Sequence, residues 1–173
     1  VSENNSLALL ICWENSLNIL DVSACRSLIR LDCDFNQIEI LDVSENINLE
    51  YLNCRFNQLS CLNVKGCKVL KELQAEGNKL STLAVSTNTA MELLNCSKNQ
   101  LRTLDISKNT ELKKIHIKDN INLESVRVWT KPFPPPELTI STSGNTPTHL
   151  IPTPITKLQG RKSGRIRMDG WKF

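Results

Sequence analysis

An aliphatic residue returns every 21 positions along this chain, at Leu7, Leu28, Leu49, Leu70, Met91 and Leu112. Three places further on stand Leu10, Leu31, Leu52, Leu73, Leu94 and Ile115. Eight places on there is an asparagine every time: Asn15, Asn36, Asn57, Asn78, Asn99 and Asn120. A unit this short, with one apolar face, cannot enclose a core of its own. It buries that face only by stacking on its neighbours, so the period constrains the fold more tightly than composition does.

One unit reads Leu49, Leu52, Cys54, Asn57, Leu59, Leu62 and Val64. The order L-x-x-L-x-(L or C)-x-x-N-x-L is that of a leucine-rich repeat. It predicts a mostly β, right-handed solenoid of about six 21-residue coils with a parallel concave sheet. In Leu52-Asn53-Cys54 the alternation of period two turns Leu and Cys inward and the residue between them outward. After each strand the chain turns sharply and leaves backbone groups unpaired. A buried asparagine, donor and acceptor at once, satisfies them coil after coil. The second half of each unit repeats Leu-Asp-Val-Ser, as in Leu20–Ser23 and Leu41–Ser44, which predicts a second short extended segment on the convex side and no long helix.

Cys12, Cys33, Cys54 and Cys96 share one inward column, with Ala75 and Ile117 in the other two places. There a cysteine acts as a small apolar residue. Side chains stacked in parallel rarely reach disulfide geometry, so free buried thiols are expected. Cys25 and Cys67 occupy the convex-side column otherwise held by Asn46, Asn88 and Asn109, and Cys61 lies on the convex segment. No Cys/His spacing for a metal exists, and no cofactor is implied.

Val1–Asn4 matches Val43–Asn46, as if the chain opened partway through a coil. The solenoid is expected to span 1–128 and a proline-rich stop or cap with a basic, irregular or β C-terminal segment to span 129–173. Ile117–Leu123 reads as a copy of Ile106–Leu112, which omits about half a coil before a last strand from Leu123 to Trp129. Pro132, Pro134, Pro135 and Pro136 cannot continue a sheet ladder, and Trp129 and Phe133 are expected to cover the terminal coil. Beyond them, Leu138–Ser141 and Ile166–Met168 read as strands. Residues 157–173 carry six basic residues against Asp169 alone, a net of +5, whereas the rest of the chain is slightly acidic. That balance suits a solvated tail or β flap. No aromatic stacking motif points to nucleic acid, and no apolar run is long enough for a membrane span or a signal segment.

The 21-residue unit, the cysteine in place of a core leucine and the recurrent Leu-Asp-Val-Ser phrase together resemble the repeats of internalin-J-type surface proteins and their relatives on gut anaerobic bacteria. The resemblance covers residues 1–128 in register. It implies a bacterial cell-surface or secreted protein used in adhesion or recognition. The basic C-terminus departs from the pattern, and no cell-wall anchor is visible.

A ligand would meet the outward side chains of the concave strands, at the third, fifth and seventh places of each unit with the eighth at the rim. The first three coils put Trp13, Tyr51, Phe35 and Phe56 there, with Arg30, Asp32, Asp34, Asn53 and Arg55 between them. Aromatics beside arginine and aspartate suit a host or bacterial protein or a glycan, because they offer large contact area at low entropy cost. The alternatives are that Phe35 and Phe56 tuck against the turn, or that the solenoid is a spacer with no tight ligand. Asp32 and Asp34 could also be read as a carboxylate pair for hydrolysis. An open ribbon, however, offers no closed pocket and no burial, and Arg30 and Arg55 are expected to keep both ionised. The cysteines face inward, away from His116, and no catalytic role is expected.

Overall fold

The computed structural model describes residues 4–129 throughout and the backbone of 139–141 and 149–152. Twelve short strands follow one another in these residues and none of them is helical: β1 Leu9–Ile11, β2 Arg30–Asp32, β3 Ile40–Asp42, β4 Tyr51–Asn53, β5 Cys61–Asn63, β6 Glu72–Gln74, β7 Leu93–Asn95, β8 Thr103–Asp105, β9 Lys114–His116, β10 Ser125–Val128, β11 Thr139–Ser141 and β12 His149–Pro152. Seven form one parallel sheet in the order β1-β2-β4-β6-β7-β9-β11. From β1 to β9 its register steps by 21 residues, as in Leu10↔Leu31, Leu31↔Leu52 and Leu73↔Leu94. Each coil therefore lays the same residue over its predecessor, as the period requires.

The second side is thinner. β3 pairs with β5, and β8 with β10 and then β12. Between the two patches only Ala84 bridges to Asp105. The Leu-Asp-Val-Ser phrase has a local cause there: the carboxylates of Asp21, Asp42 and Asp105 accept the N–H of Ser23, Ser44 and Ser107 at 2.9, 2.8 and 3.0 Å. These side-chain turns bend the chain out of the segment and back toward the next coil.

The core is a column of leucines and their companions. Leu28, Leu49, Leu70 and Met91, with Leu31, Leu52, Leu73 and Leu94, are wholly buried. Each such side chain contributes on the order of 2 kcal/mol relative to exposure. Cys33, Cys54 and Cys96 lie in the same core, and all seven cysteines are free thiols, with Cys12 half-buried and Cys61 exposed. Burial pushes the thiols of Cys54, Cys67 and Cys96 up to about 12.

The asparagine column joins the coils. Asn57 Nδ2 donates to the carbonyl of Cys33 in the coil before (3.0 Å) and to Cys54 and Arg55 in its own, and its Oδ1 accepts from Ile38 N–H at 3.0 Å. Asn36, Asn78, Asn99 and Asn120 repeat the pattern. On the second side Asn46, Asn88 and Asn109 donate to two carbonyls of preceding turns, while their own Oδ1 atoms are buried without a hydrogen-bond partner.

The expected omission of half a coil after Ile117 is corrected. β10 does not take the next place in the long sheet. It pairs with β8 on the second side, Val126 against Leu104 and Ser125 against Thr103. The second side thus steps by 22 residues from β8 to β10, against 21 from Ala84 to Asp105, and Asn120 serves two turns at once. It holds Leu101 N–H as its column does, and its carbonyl accepts from Leu123 N–H at 3.0 Å. Both sheets then gain a strand beyond the proline-rich stretch, β11 on β9 and β12 on β10. Trp129 packs into the core at 8% exposure. Phe133, the prolines and the strand expected at Ile166–Met168 lie outside the described residues.

Candidate functional site

Each coil leaves the long sheet through a left-handed residue. Glu14, Phe35, Phe56, Lys98 and Asp119 have φ of 50, 51, 49, 52 and 57°, and Gly77 has 70°. For an L-residue other than glycine that conformation costs roughly 1–2 kcal/mol. It persists because the turn keeps the inter-coil ladder intact: the N–H groups of Phe35, Phe56, Gly77 and Lys98 donate to the carbonyls of Arg55, Glu76, Ser97 and Lys118 at 2.7 to 3.0 Å. The eighth place is therefore a ridge held at one angle, and its side chains line up along the rim.

Phe35 and Phe56 stack on this ridge with centroids 4.7 Å apart and planes inclined by 22°. Phe56 in turn lies against the backbone of Gly77, and Lys98 Nζ stands 5.4 Å from its centroid. Phe56 thus does tuck against the turn, whereas Phe35 remains 47% exposed. Trp13 is 48% exposed and stands one coil before Asp34 in the seventh-place row.

Between the aromatics runs one connected polar chain. Arg30 donates to Asp32 at 2.8 Å and its guanidinium lies 4.0 Å from the Tyr51 ring centroid. Asn53 Nδ2 donates to the other oxygen of Asp32, and Asn53 Oδ1 accepts from Arg55 Nε at 3.0 Å. Arg55 then reaches Asp34 at 3.5 Å. The nine residues singled out from the sequence are brought onto one surface.

The expectation that the open ribbon would leave Asp32 and Asp34 without burial is corrected. Each is only 7% exposed, covered by its neighbours on the ribbon rather than by depth in the core. Burial, and then the Asp32 carboxylate beside it, push the Asp34 carboxyl above its ordinary value against the opposing pull of Arg55. Neither carboxylate lines either of the two grooves described below. The pair supports its neighbours and is poorly placed to attack a substrate.

Two further features of the outward columns lie beyond the nine residues singled out from the sequence. Leu9 and Ile11 continue the outward face of the first coil at 51% and 52% exposure. Toward the other end, a groove of about 470 Å³ is lined by Arg55, Gln74, Glu76, Asn95, Ser97, Lys98, His116, Lys118 and Asp119. The signal for it was the outward column itself, which turns from aromatic to amide and basic after the third coil. A groove of about 580 Å³ lies on the second side around Ile19, Ile40, Asp21 and Asp42. The two aspartates there are already engaged by serine N–H groups. Among the described residues no group of acidic, histidine and cysteine side chains is arranged to hold a metal.

No family model matches the chain, and no curated protein matches it. Among solved structures, the functional domain of internalin J from Listeria monocytogenes, which includes a cysteine ladder, superposes with a TM-score of 0.66 at 28% identity over 82% of this chain and 35% of that one. A leucine-rich-repeat protein of Leptospira interrogans superposes with a TM-score of 0.60 at 22% identity over 78% of this chain and 38% of that one. The chain is a leucine-rich-repeat solenoid. Its 21-residue coils match the internalin-like repeats, the cysteine column included. It spans little more than a third of the length of either of these two proteins.

Proposed function

We propose that this chain is a non-enzymatic recognition module of a bacterial cell-surface or secreted protein, binding a protein or glycan partner through the concave face of its first three coils. The observation that carries the reading is the self-satisfied polar chain from Arg30 to Asp34. It ties Asp32, Asn53 and Asp34 to Arg30 and Arg55 and sets the Arg30 guanidinium over Tyr51, while the exposed Phe35 stacks on Phe56 and the exposed Trp13 stands one coil before Asp34. Rigid aromatics flanked by arginine are what a tight interface is built on. The likeness to the functional domain of internalin J supports the same assignment and the surface location. Among the described residues no helix is long and apolar enough to cross a membrane.

The test is a binding screen of the chain against host-cell surfaces and protein and glycan arrays, repeated with Trp13→Ala, Arg30→Ala and Phe35→Ala combined. Loss of the bound partner in the variant supports the reading. Full retention, or no partner at all, favours a structural spacer.

A further inference from the structure

Resting on the recognition reading above, we propose that the second half of the same face carries a separate subsite for an acidic saccharide, formed by Asn95, Ser97, His116 and Lys118 with Lys114 beside them. The groove's volume, about 470 Å³, falls in the range of small-ligand sites, about 300–1,000 Å³. Every side chain lining it is polar or charged. A peptide would find no apolar anchor there, whereas a hydroxyl-rich molecule finds amides, a hydroxyl and an imidazole.

The charges divide the face in two. In the first five coils the face's cations are occupied: Arg30 by Asp32, Arg55 by Asp34, and Glu76 holds Lys98 at 2.8 Å. On the sixth coil Lys114, His116 and Lys118 point the same way at alternate positions, and among the described residues their side chains enter no ion pair or hydrogen bond. Of the two carboxylates that line the groove, Glu76 is held by Lys98, and neither Glu76 nor Asp119 pairs with Lys114 or Lys118, so a ligand's carboxylate or sulfate gains charge-assisted bonds from these two ammonium groups. The floor has a further unmet need. Ser97 is 5% exposed and its Oγ accepts from Lys118 N–H at 3.2 Å, which leaves its hydroxyl hydrogen with no acceptor among the described residues. Asn95, bonded to Gln74 and Glu76 at 3.2 and 3.1 Å, holds the wall beside it in place. A sugar hydroxyl over Ser97 and an acidic group between Lys114 and Lys118 would satisfy both.

The experiment gives the full chain sialyllactose against lactose, and a sulfated galactose oligosaccharide against its unsulfated form, with binding followed by calorimetry at low and moderate salt. The acidic member of at least one pair should bind, more weakly as salt rises, and its neutral counterpart should not. The pair that responds separates carboxylate from sulfate. Lys114→Gln with Lys118→Gln should weaken binding by roughly tenfold or more, and Ser97→Ala should weaken it with no change in salt dependence. Lys114→Glu, at an exposed position, serves as a second charge variant, and circular dichroism checks folding of each. The Trp13, Arg30 and Phe35 variant should bind the acidic sugar unchanged. Three results would overturn the subsite: equal binding of the neutral sugars, binding of no acidic sugar, or unaltered affinity in the lysine variants, which would assign the binding to the basic residues 157–172. If partner binding is still lost in the Trp13 variant, only the subsite falls and the recognition reading stands.

Discussion

The ring of Phe56 lies on the backbone of Gly77 so closely that a Cβ added to the glycine would stand 2.6 Å from Phe56 Cδ1. Gly77 is also left-handed, at φ +70°. The second and third coils carry phenylalanine at this rim position and the fourth carries glycine because the stack of rings ends there, on a flat floor.

Replacing Gly77 with alanine should therefore destabilise the solenoid by roughly 1–3 kcal/mol, through strain at φ and the clash together. In a Phe56→Ala background the added loss should shrink to about 1 kcal/mol, the backbone part alone. Urea unfolding of the four proteins of this cycle measures both. Equal losses in the two backgrounds would show that the ring contact contributes nothing.

Asn57→Ala removes a side chain that bonds both its own coil and the one before; it leaves Ile38 N–H buried without its acceptor and Cys33 C=O with Asn36 alone. The loss should reach about 2–4 kcal/mol. Asn15 occupies the same column in the first coil, but its side chain bonds only Cys12 and Trp13 of its own coil and is exposed. Asn15→Ala should cost less than about 1 kcal/mol. Thermal melts of the two variants side by side make the comparison.

The core thiols make the fold sensitive to alkali. Cys54, Cys67 and Cys96 hold their protons up to about 12 in the folded chain, from an ordinary value of 9.0. A group whose value rises on folding contributes stability that is present below its unfolded value and is lost as pH climbs toward the folded one. The urea midpoint should therefore fall as pH rises above about 9, and the combined Cys54→Ala, Cys67→Ala and Cys96→Ala protein should show a flatter decline. A thiol reagent at neutral pH should label Cys61, the exposed cysteine, and reach the buried ones only after denaturation.

Asp34 has a consequence of the same sign in a lower pH window. Burial and the Asp32 carboxylate raise its value, so its contribution to stability is present in acid and is lost as pH rises through the raised value. Asp34→Asn should raise the urea midpoint at pH 7, with the gain fading as pH falls through the raised value toward about 4 and the native carboxyl becomes protonated. Asp32→Asn should lower the midpoint at pH 7, since Asp32 holds both Arg30 and Asn53. A fall in the midpoint for Asp34→Asn would show that its pairing with Arg55 outweighs its burial.

The repeat by itself determined the coil, the inward leucines and cysteines, and the stitching asparagines. Each of these follows from one unit meeting an identical unit at a fixed offset of 21 residues, so the local pattern already contains the neighbour. It also named Trp13, Arg30, Tyr51 and Phe35 as outward, because alternation on a strand assigns faces. The tertiary structure decided what no period carries. Six successive rim residues are left-handed though only Gly77 announces it, because the inter-coil hydrogen bonds impose the turn whatever side chain is present. The strand at Ser125–Val128 joins the second side because Asn120 closes two turns, a choice made by hydrogen bonds to Leu101 and Leu123 rather than by the resemblance of Ile117–Leu123 to an earlier segment. Asp32 and Asp34 are buried because the side chains of adjacent coils crowd over them, and that crowding depends on residues 21 positions away, the strand spacing across a parallel sheet, rather than on the local sequence.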